Sequence, residues 1–217
     1  SFNCLLDLIE KQQESHDIEC SATEQSLDLT PVQTIELLKQ AAVLDDSFAL
    51  SFLGICFLFG HVMPQNKEDS VQLFQRAADL GNSGVMYILG VYCEKGNGVP
   101  QDKTRAFQLY QQASDLGNTD AMYNLAVCYE KGDGVAQDKA KAIQLFQQAA
   151  DLGHTNAMNK LAVCYDKGDG VTQDKAKAIQ LYQQAAHLGH TDSMVNLAVC
   201  YMKGDGVPQD KSKAVQL

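Results

Sequence analysis

The chain has 217 residues, 45% apolar and 20% charged, a composition that supplies a hydrophobic core and excludes wholesale disorder. Its formal charge of −10 is concentrated at one end: residues 1–80 hold 13 carboxylates against 4 basic side chains, and residues 81–217 hold 14 against 13. With arginine only at Arg76 and Arg105 and no basic run, nucleic acid and anionic membrane surfaces are excluded as partners, which leaves a basic protein surface as the complement of the acidic part. No stretch approaches the ~20 apolar residues of a membrane-spanning helix, so no membrane insertion is expected. The chain opens Ser1-Phe2-Asn3-Cys4 without an initiator Met and stops at Val215-Gln216-Leu217, part-way through a helical pattern. We therefore expect the natural protein to extend beyond it.

In chain order, Phe2, Leu5, Leu6 and Ile9 form a short apolar stripe, and residues 2–14 are predicted to be a helix covering the open N-terminal end of the helical array. Residues 15–29 read as a polar connection. Thr30-Pro31 makes a capped start for a helix whose stripe runs through Leu37, Leu38, Ala41 and Leu44. From Ser47 onward a 36-residue period takes over. Gly81, Gly117, Gly153 and Gly189 are successive members of one series, Gly98, Gly134, Gly170 and Gly206 of a second, and Leu89, Leu125, Leu161 and Leu197 of a third. The phrase Ala126-Val-Cys-Tyr-Glu-Lys-Gly-Asp-Gly-Val135 returns at Ala162 and again at Ala198, with one residue changed each time.

Within one period, Ala121, Met122, Leu125, Ala126 and Tyr129 lie on one face of a first helix, A, taken to be capped by Thr119 and ended at Gly132-Asp133-Gly134. Asp138 caps a second helix, B, whose stripe is Ala142, Ile143, Leu145, Phe146, Ala149 and Leu152, closed by Gly153. Helices of about 13 residues are marginal alone in water, so neighbouring pairs must cover the stripes. Small residues at Gly54, Gly90, Ala126, Ala162 and Ala198 mark where A presses on B. The expected fold is all-α, a right-handed α/α superhelical solenoid of tandem 36-residue helix-turn-helix repeats. Its units are a half-repeat 31–46, repeats 47–82, 83–118, 119–154 and 155–190, and a partial repeat 191–217.

Cys56, Cys128, Cys164 and Cys200 fall on multiples of the same period. Equivalent positions in a stacked array lie beyond the ~7 Å Cα separation a disulfide allows, so these thiols read as reduced core residues of a cytosol-like compartment. The Gly-x-Gly turns follow a helix with no preceding strand and no Gly-Lys-Ser/Thr, which argues against phosphate. Asp166, Asp169 and Asp174 lack calcium-loop spacing. His187 and His190 are separated by the helix-breaking Gly189. No catalytic constellation stands outside the repeat, and no cofactor or metal is expected.

The partner is expected on helix A. Positions that hold a fold recur from repeat to repeat, whereas positions that read a partner are free to differ. The surface set is Tyr87, Val91, Glu94 and Lys95; Asp120, Tyr123, Val127, Glu130 and Lys131; Asn159, Val163, Asp166 and Lys167; and Val195, Val199, Met202 and Lys203. The series Tyr87, Tyr123, Asn159, Val195 varies beside an unvarying core. Exposed tyrosines make good partner anchors, with a tyrosine lying over the core as the alternative. Ser51, Ile55, Leu58 and Phe59 give the first repeat a more apolar surface.

These residues resemble the Sel-1-like repeats, whose helix A has the form A-x-x-x-L-G/A-x-x-Y and whose turn reads G-x-G-V-P-x-D. That turn stands here as Gly96-Asn-Gly-Val-Pro-Gln-Asp102 and Gly204-Asp-Gly-Val-Pro-Gln-Asp210. The resemblance covers residues 47–217 and departs from the pattern at Asp45, in place of the closing glycine, and at His61-Val62. It implies a tetratricopeptide-like scaffold or adaptor that binds another protein or peptide on a concave helix A surface, in bacteria often at the host interface, and so either cytoplasmic or delivered into a host cytosol. Cysteine-rich relatives imply the alternative of a hydrolase acting on β-lactams or cell-wall peptides, although their paired cysteines are missing here.

Overall fold

The computed structural model describes residues 31–60 and 62–216. The helix expected over residues 2–14 and the connection 15–29 lie outside them. Every regular element among the described residues is a helix: α1 (Pro31–Val43), α2 (Ser47–Phe59), α3 (Lys67–Asp79), α4 (Ser83–Lys95), α5 (Lys103–Asp115), α6 (Thr119–Lys131), α7 (Lys139–Asp151), α8 (Thr155–Lys167), α9 (Lys175–His187), α10 (Thr191–Lys203) and α11 (Lys211–Val215). Each packs chiefly on the helix before and after it, so the chain stacks as a solenoid with α2, α4, α6, α8 and α10 as the A helices.

One aromatic per repeat forms the spine of the core. Phe74, Tyr110, Phe146 and Tyr182 occupy the same place in successive B helices, and all are buried. The small A-helix residues face them: a Cβ built on Gly54 would stand 2.5 Å from the Phe74 ring, and one on Gly90 would stand 2.5 Å from that of Tyr110. Neither position admits even alanine without displacement. Ala126 and Ala162 fill the equivalent places fully buried.

Helix A begins one residue earlier than the sequence pattern indicates. Asn118, not Thr119, is the cap, its side chain accepting from the Ala121 N–H, and Asn82 does the same for α4. In α8 and α10 the cap is a histidine: Nδ1 of His154 and of His190 accepts from the amides of Ala157 and Ser193, 3.1 Å away in each case. A shared acceptor function replaces a shared residue type. Asp102, Asp138 and Asp174 cap the B helices as expected.

The A-to-B turn is held by a contact the sequence pattern did not suggest. Gln65, Gln101, Gln137, Gln173 and Gln209 each donate from Nε2 to a carbonyl seven residues back, at 2.7–2.8 Å. The first turn keeps this clasp despite its divergent sequence. Val62 stands where later turns have glycine and adopts the same left-handed backbone, φ 63° against 73° at Gly98. A β-branched residue is strained there. Val62→Gly is therefore expected to raise stability by about 1 kcal/mol, the strain relief exceeding the extra backbone entropy of glycine; a lower denaturation midpoint would contradict the strain. Asp45 also takes positive φ, 55°, and its carboxylate receives Arg76 at 2.6 Å.

Three stripe assignments change. Leu37, placed in the core from its spacing, is 50% exposed, whereas its counterparts Leu109 and Leu181 lie between neighbouring helices and are buried. Leu44 and Leu152 are also exposed, because each follows the last turn of its helix, where the chain has already left the packed face. Ile35, Ala42 and Ala150 are buried instead.

Candidate functional site

The candidate surface is the outer side of the A-helix layer. Cross-repeat contacts tie each A helix to the next. Asn82 Nδ2 donates to Ser51 Oγ at 3.2 Å, and Lys160 pairs with Glu130 at 3.0 Å. Asn159 Oδ1 accepts from Ser193 Oγ and Asn196 Nδ2. His154 Nδ1 accepts a backbone N–H, so the proton sits on Nε2, which donates to Asp120 Oδ1 at 3.1 Å. That hydrogen bond holds the Asp120 carboxyl below its usual range. His190 Nε2 reaches Asn156 Oδ1 in the same way, at 2.8 Å.

The two tyrosines are set into this layer rather than standing free. Tyr123 stacks on the His154 ring, centroids 5.1 Å apart, and tilts against Phe146. Tyr87 lies 6.2 Å from Tyr110, whose hydroxyl donates to Glu94 at 2.8 Å. Burial pushes both phenols above their ordinary pKa. Each therefore rests partly on the core and is half-buried.

The remaining surface residues separate by depth. Val91, Glu94, Val127, Glu130, Asn159, Val163 and Asp166 are half-buried, whereas Lys95, Asp120, Lys131, Lys167 and Lys203 are exposed. Val195, Val199 and Met202 are 56%, 43% and 48% exposed on α10, the last A helix described. In the first repeat Ser51 and Ile55 are buried, not surface residues as their spacing suggested, while Leu58 is half-buried and Phe59 exposed. One recess on this layer is a cleft of ≈130 Å³ lined by Asp166, Tyr182, Asn196, Val199, Cys200, Lys203 and Asp205. That is small beside pockets that enclose a drug-sized ligand, roughly 300–1,000 Å³. The geometry suits contact across a broad face.

Groups that could do chemistry are occupied structurally. Asp169 pairs with Lys139 at 2.7 Å, and Asp174 caps α9. Among the described residues no cluster of three or more His, Cys, Asp or Glu is arranged to hold a metal, and no helix is long and apolar enough to cross a membrane. The described cysteines are free thiols, and burial raises Cys128 and Cys164 to about 11. Such thiols stay protonated at neutral pH and are poor nucleophiles.

A stack of antiparallel helix pairs with a fixed core and a variable outer layer defines the class of α/α helical-repeat solenoids. Within it, the chain belongs to the Sel1 repeat family, whose pattern matches residues 47–82, 84–118, 119–154, 155–190 and 191–217. A crystal structure of a protective antigen of uropathogenic Escherichia coli strains, displaying an SLR fold, superposes with a TM-score of 0.81 at 34% identity. The match covers 84% of this chain and 39% of that one, so the chain spans well under half of that relative. A Sel1 repeat protein of Oxalobacter formigenes superposes with the same TM-score at 28% identity, covering 86% of this chain and 77% of its own. An immunity protein of Pseudomonas aeruginosa shares the fold, with a TM-score of 0.58 and 19% identity over 97% of this chain and 77% of its own. Comparison with curated proteins finds no match. Sel1 repeat proteins generally serve as scaffolds that bind other proteins.

Proposed function

We propose that the chain binds a partner protein or peptide along a concave surface formed by the A helices, with Tyr87 and Tyr123 as anchors. The observation that carries this is the series Tyr87, Tyr123, Asn159, Val195, which changes along the array while the aromatic spine beneath it stays buried and aromatic. A non-enzymatic role is supported by the raised thiols and by the structural use of the aspartates and histidines. A role at a host interface has one support, the likeness to a protective antigen of uropathogenic bacteria. Reduced thiols fit a cytosolic setting, either the cell's own or a host's.

Affinity capture from cell lysate, with bound proteins identified by mass spectrometry, tests the surface. Tyr87→Ala combined with Tyr123→Ala should weaken the captured partner about tenfold or more, with helicity unchanged in circular dichroism. Equal capture by the folded double variant would remove the helix A surface from consideration.

A further inference from the structure

The edge of the solenoid where B helices hand over to A helices carries a feature the A-helix surface does not use. Leu80, Leu116, Leu152 and Leu188 sit one per repeat at this junction, 47%, 56%, 61% and 55% exposed. None is needed for capping. The helix ends are closed by backbone bonds, as where Asn118 N donates to Ala113 O and Gly117 N to Ser114 O, and the side chain takes no part. The junctions lie side by side, since His154 of one reaches Asp120 of the one before, and Arg76 reaches Asp45.

Charge on the same edge is predominantly negative, the Arg76 guanidinium there being paired with Asp45. Asp79, Asp115 and Asp151 each precede a leucine of the row, oriented by Gln75, Gln111 and Gln147 at 2.8 Å and exposed. Asp120 and Asp192 add to them from the first turn of the A helices. From Ala77 to Val91, from Phe107 to Asn124, from Ala142 to Asn159 and from Ala178 to Met202 the chain has no lysine or arginine. Helix dipoles do not offset this, because A-helix N-termini and B-helix C-termini alternate along the edge. On the opposite edge lysines stand beside aspartates, as in the pairs Lys103–Asp133 and Lys139–Asp169. A groove of ≈330 Å³ opens on the acidic edge, lined by Thr155, Leu188, Gly189, His190, Thr191 and Asp192.

We propose that this leucine-and-aspartate edge docks a cationic amphipathic helix, a binding surface separate from the A-helix layer. Charge complementarity selects the occupant: isolated apolar side chains flanked by carboxylates match apolar side chains flanked by lysine or arginine. Spacing agrees. Successive junctions touch through side chains, as where His154 reaches Asp120 at 3.1 Å, which puts them about one helix diameter, on the order of 10 Å, apart, and seven residues of helix rise about 10.5 Å. A leucine at every seventh position therefore keeps step with the row, and about 22 residues span the four leucines.

A synthetic peptide of about 22 residues, with leucine at every seventh position on one helical face and lysine on the other, is the probe, titrated by fluorescence anisotropy against the whole chain. Wild type should bind, with the dissociation constant rising about tenfold as salt increases and screening shortens. Leu116→Ser with Leu152→Ser should weaken binding about tenfold, and Asp115→Asn with Asp151→Asn about threefold with a flatter salt dependence. All four side chains are exposed, so these variants keep the fold, which circular dichroism checks. Tyr87→Ala with Tyr123→Ala should bind the peptide as wild type does, which separates this surface from the one proposed for the partner. No binding, equal binding of a scrambled peptide of the same composition, or equal binding by the leucine variant overturns the proposal.

Discussion

Gly134→Ala should lower the thermal midpoint by on the order of 10 °C, corresponding to about 3 kcal/mol for a chain of this size. Two costs combine. Gly134 has φ 73°, where an L side chain meets its own backbone at about 1–2 kcal/mol. In addition, a Cβ there would stand 2.2 Å from the Lys103 carbonyl oxygen and 2.6 Å from its carbon. Those atoms belong to the start of α5 in the preceding repeat, so relief requires the two repeats to part, and overpacking of that kind costs about 1–3 kcal/mol. The equivalent Gly98 is less crowded, its nearest neighbour being Lys67 Cβ at 3.3 Å. Gly98→Ala is thus the internal control, carrying the conformational cost with little of the steric one. Equal midpoints for the two variants would show that the close approach of repeats at Gly134 is not stabilising.

Leu161→Ala should cost about 2–5 kcal/mol through lost burial and the cavity left behind. Leu161 is fully buried in α8, between helices that cover it on both sides. Its counterpart Leu197 is also buried but lies on α10, which packs chiefly on α9 and the short α11. Leu197→Ala should cost less, because a looser end can settle into the space. Chemical denaturation of both variants makes the comparison, and a larger loss at Leu197 would mean that the C-terminal part of the array is packed as firmly as its middle.

The repeat and its helices were legible in the sequence because 36-residue recurrence forces equivalent residues into equivalent environments. What recurrence does not encode is which environment. Leu152 and Leu161 recur equally well, yet one is exposed and the other fully buried; a leucine at a helix end looks like any other member of an apolar stripe until the chain direction beyond it is known. Depth in the A layer was hidden for a similar reason. Tyr123 owes its half-buried state to His154, 31 residues later at the junction with the next repeat. The histidine caps escaped notice because asparagine fills the same role in earlier repeats and histidine is seldom found there. The glutamine clasp depends on the folded path of the turn, which brings Gln137 to Glu130 across seven residues.

Among the described residues the ties between repeats reach the adjacent unit, as Lys103 does to Asp133 and Lys139 to Asp169. Excising residues 119–154 would bring Lys103 to Asp169 and leave both halves meeting surfaces of the same chemistry. Array length is therefore a variable that gene duplication and deletion can adjust in whole units without repairing the core. Each such event shifts the order in which Tyr87, Tyr123, Asn159 and Val195 are displayed, so recombination alone can rearrange the surface proposed to meet the partner while the architecture beneath is inherited unchanged.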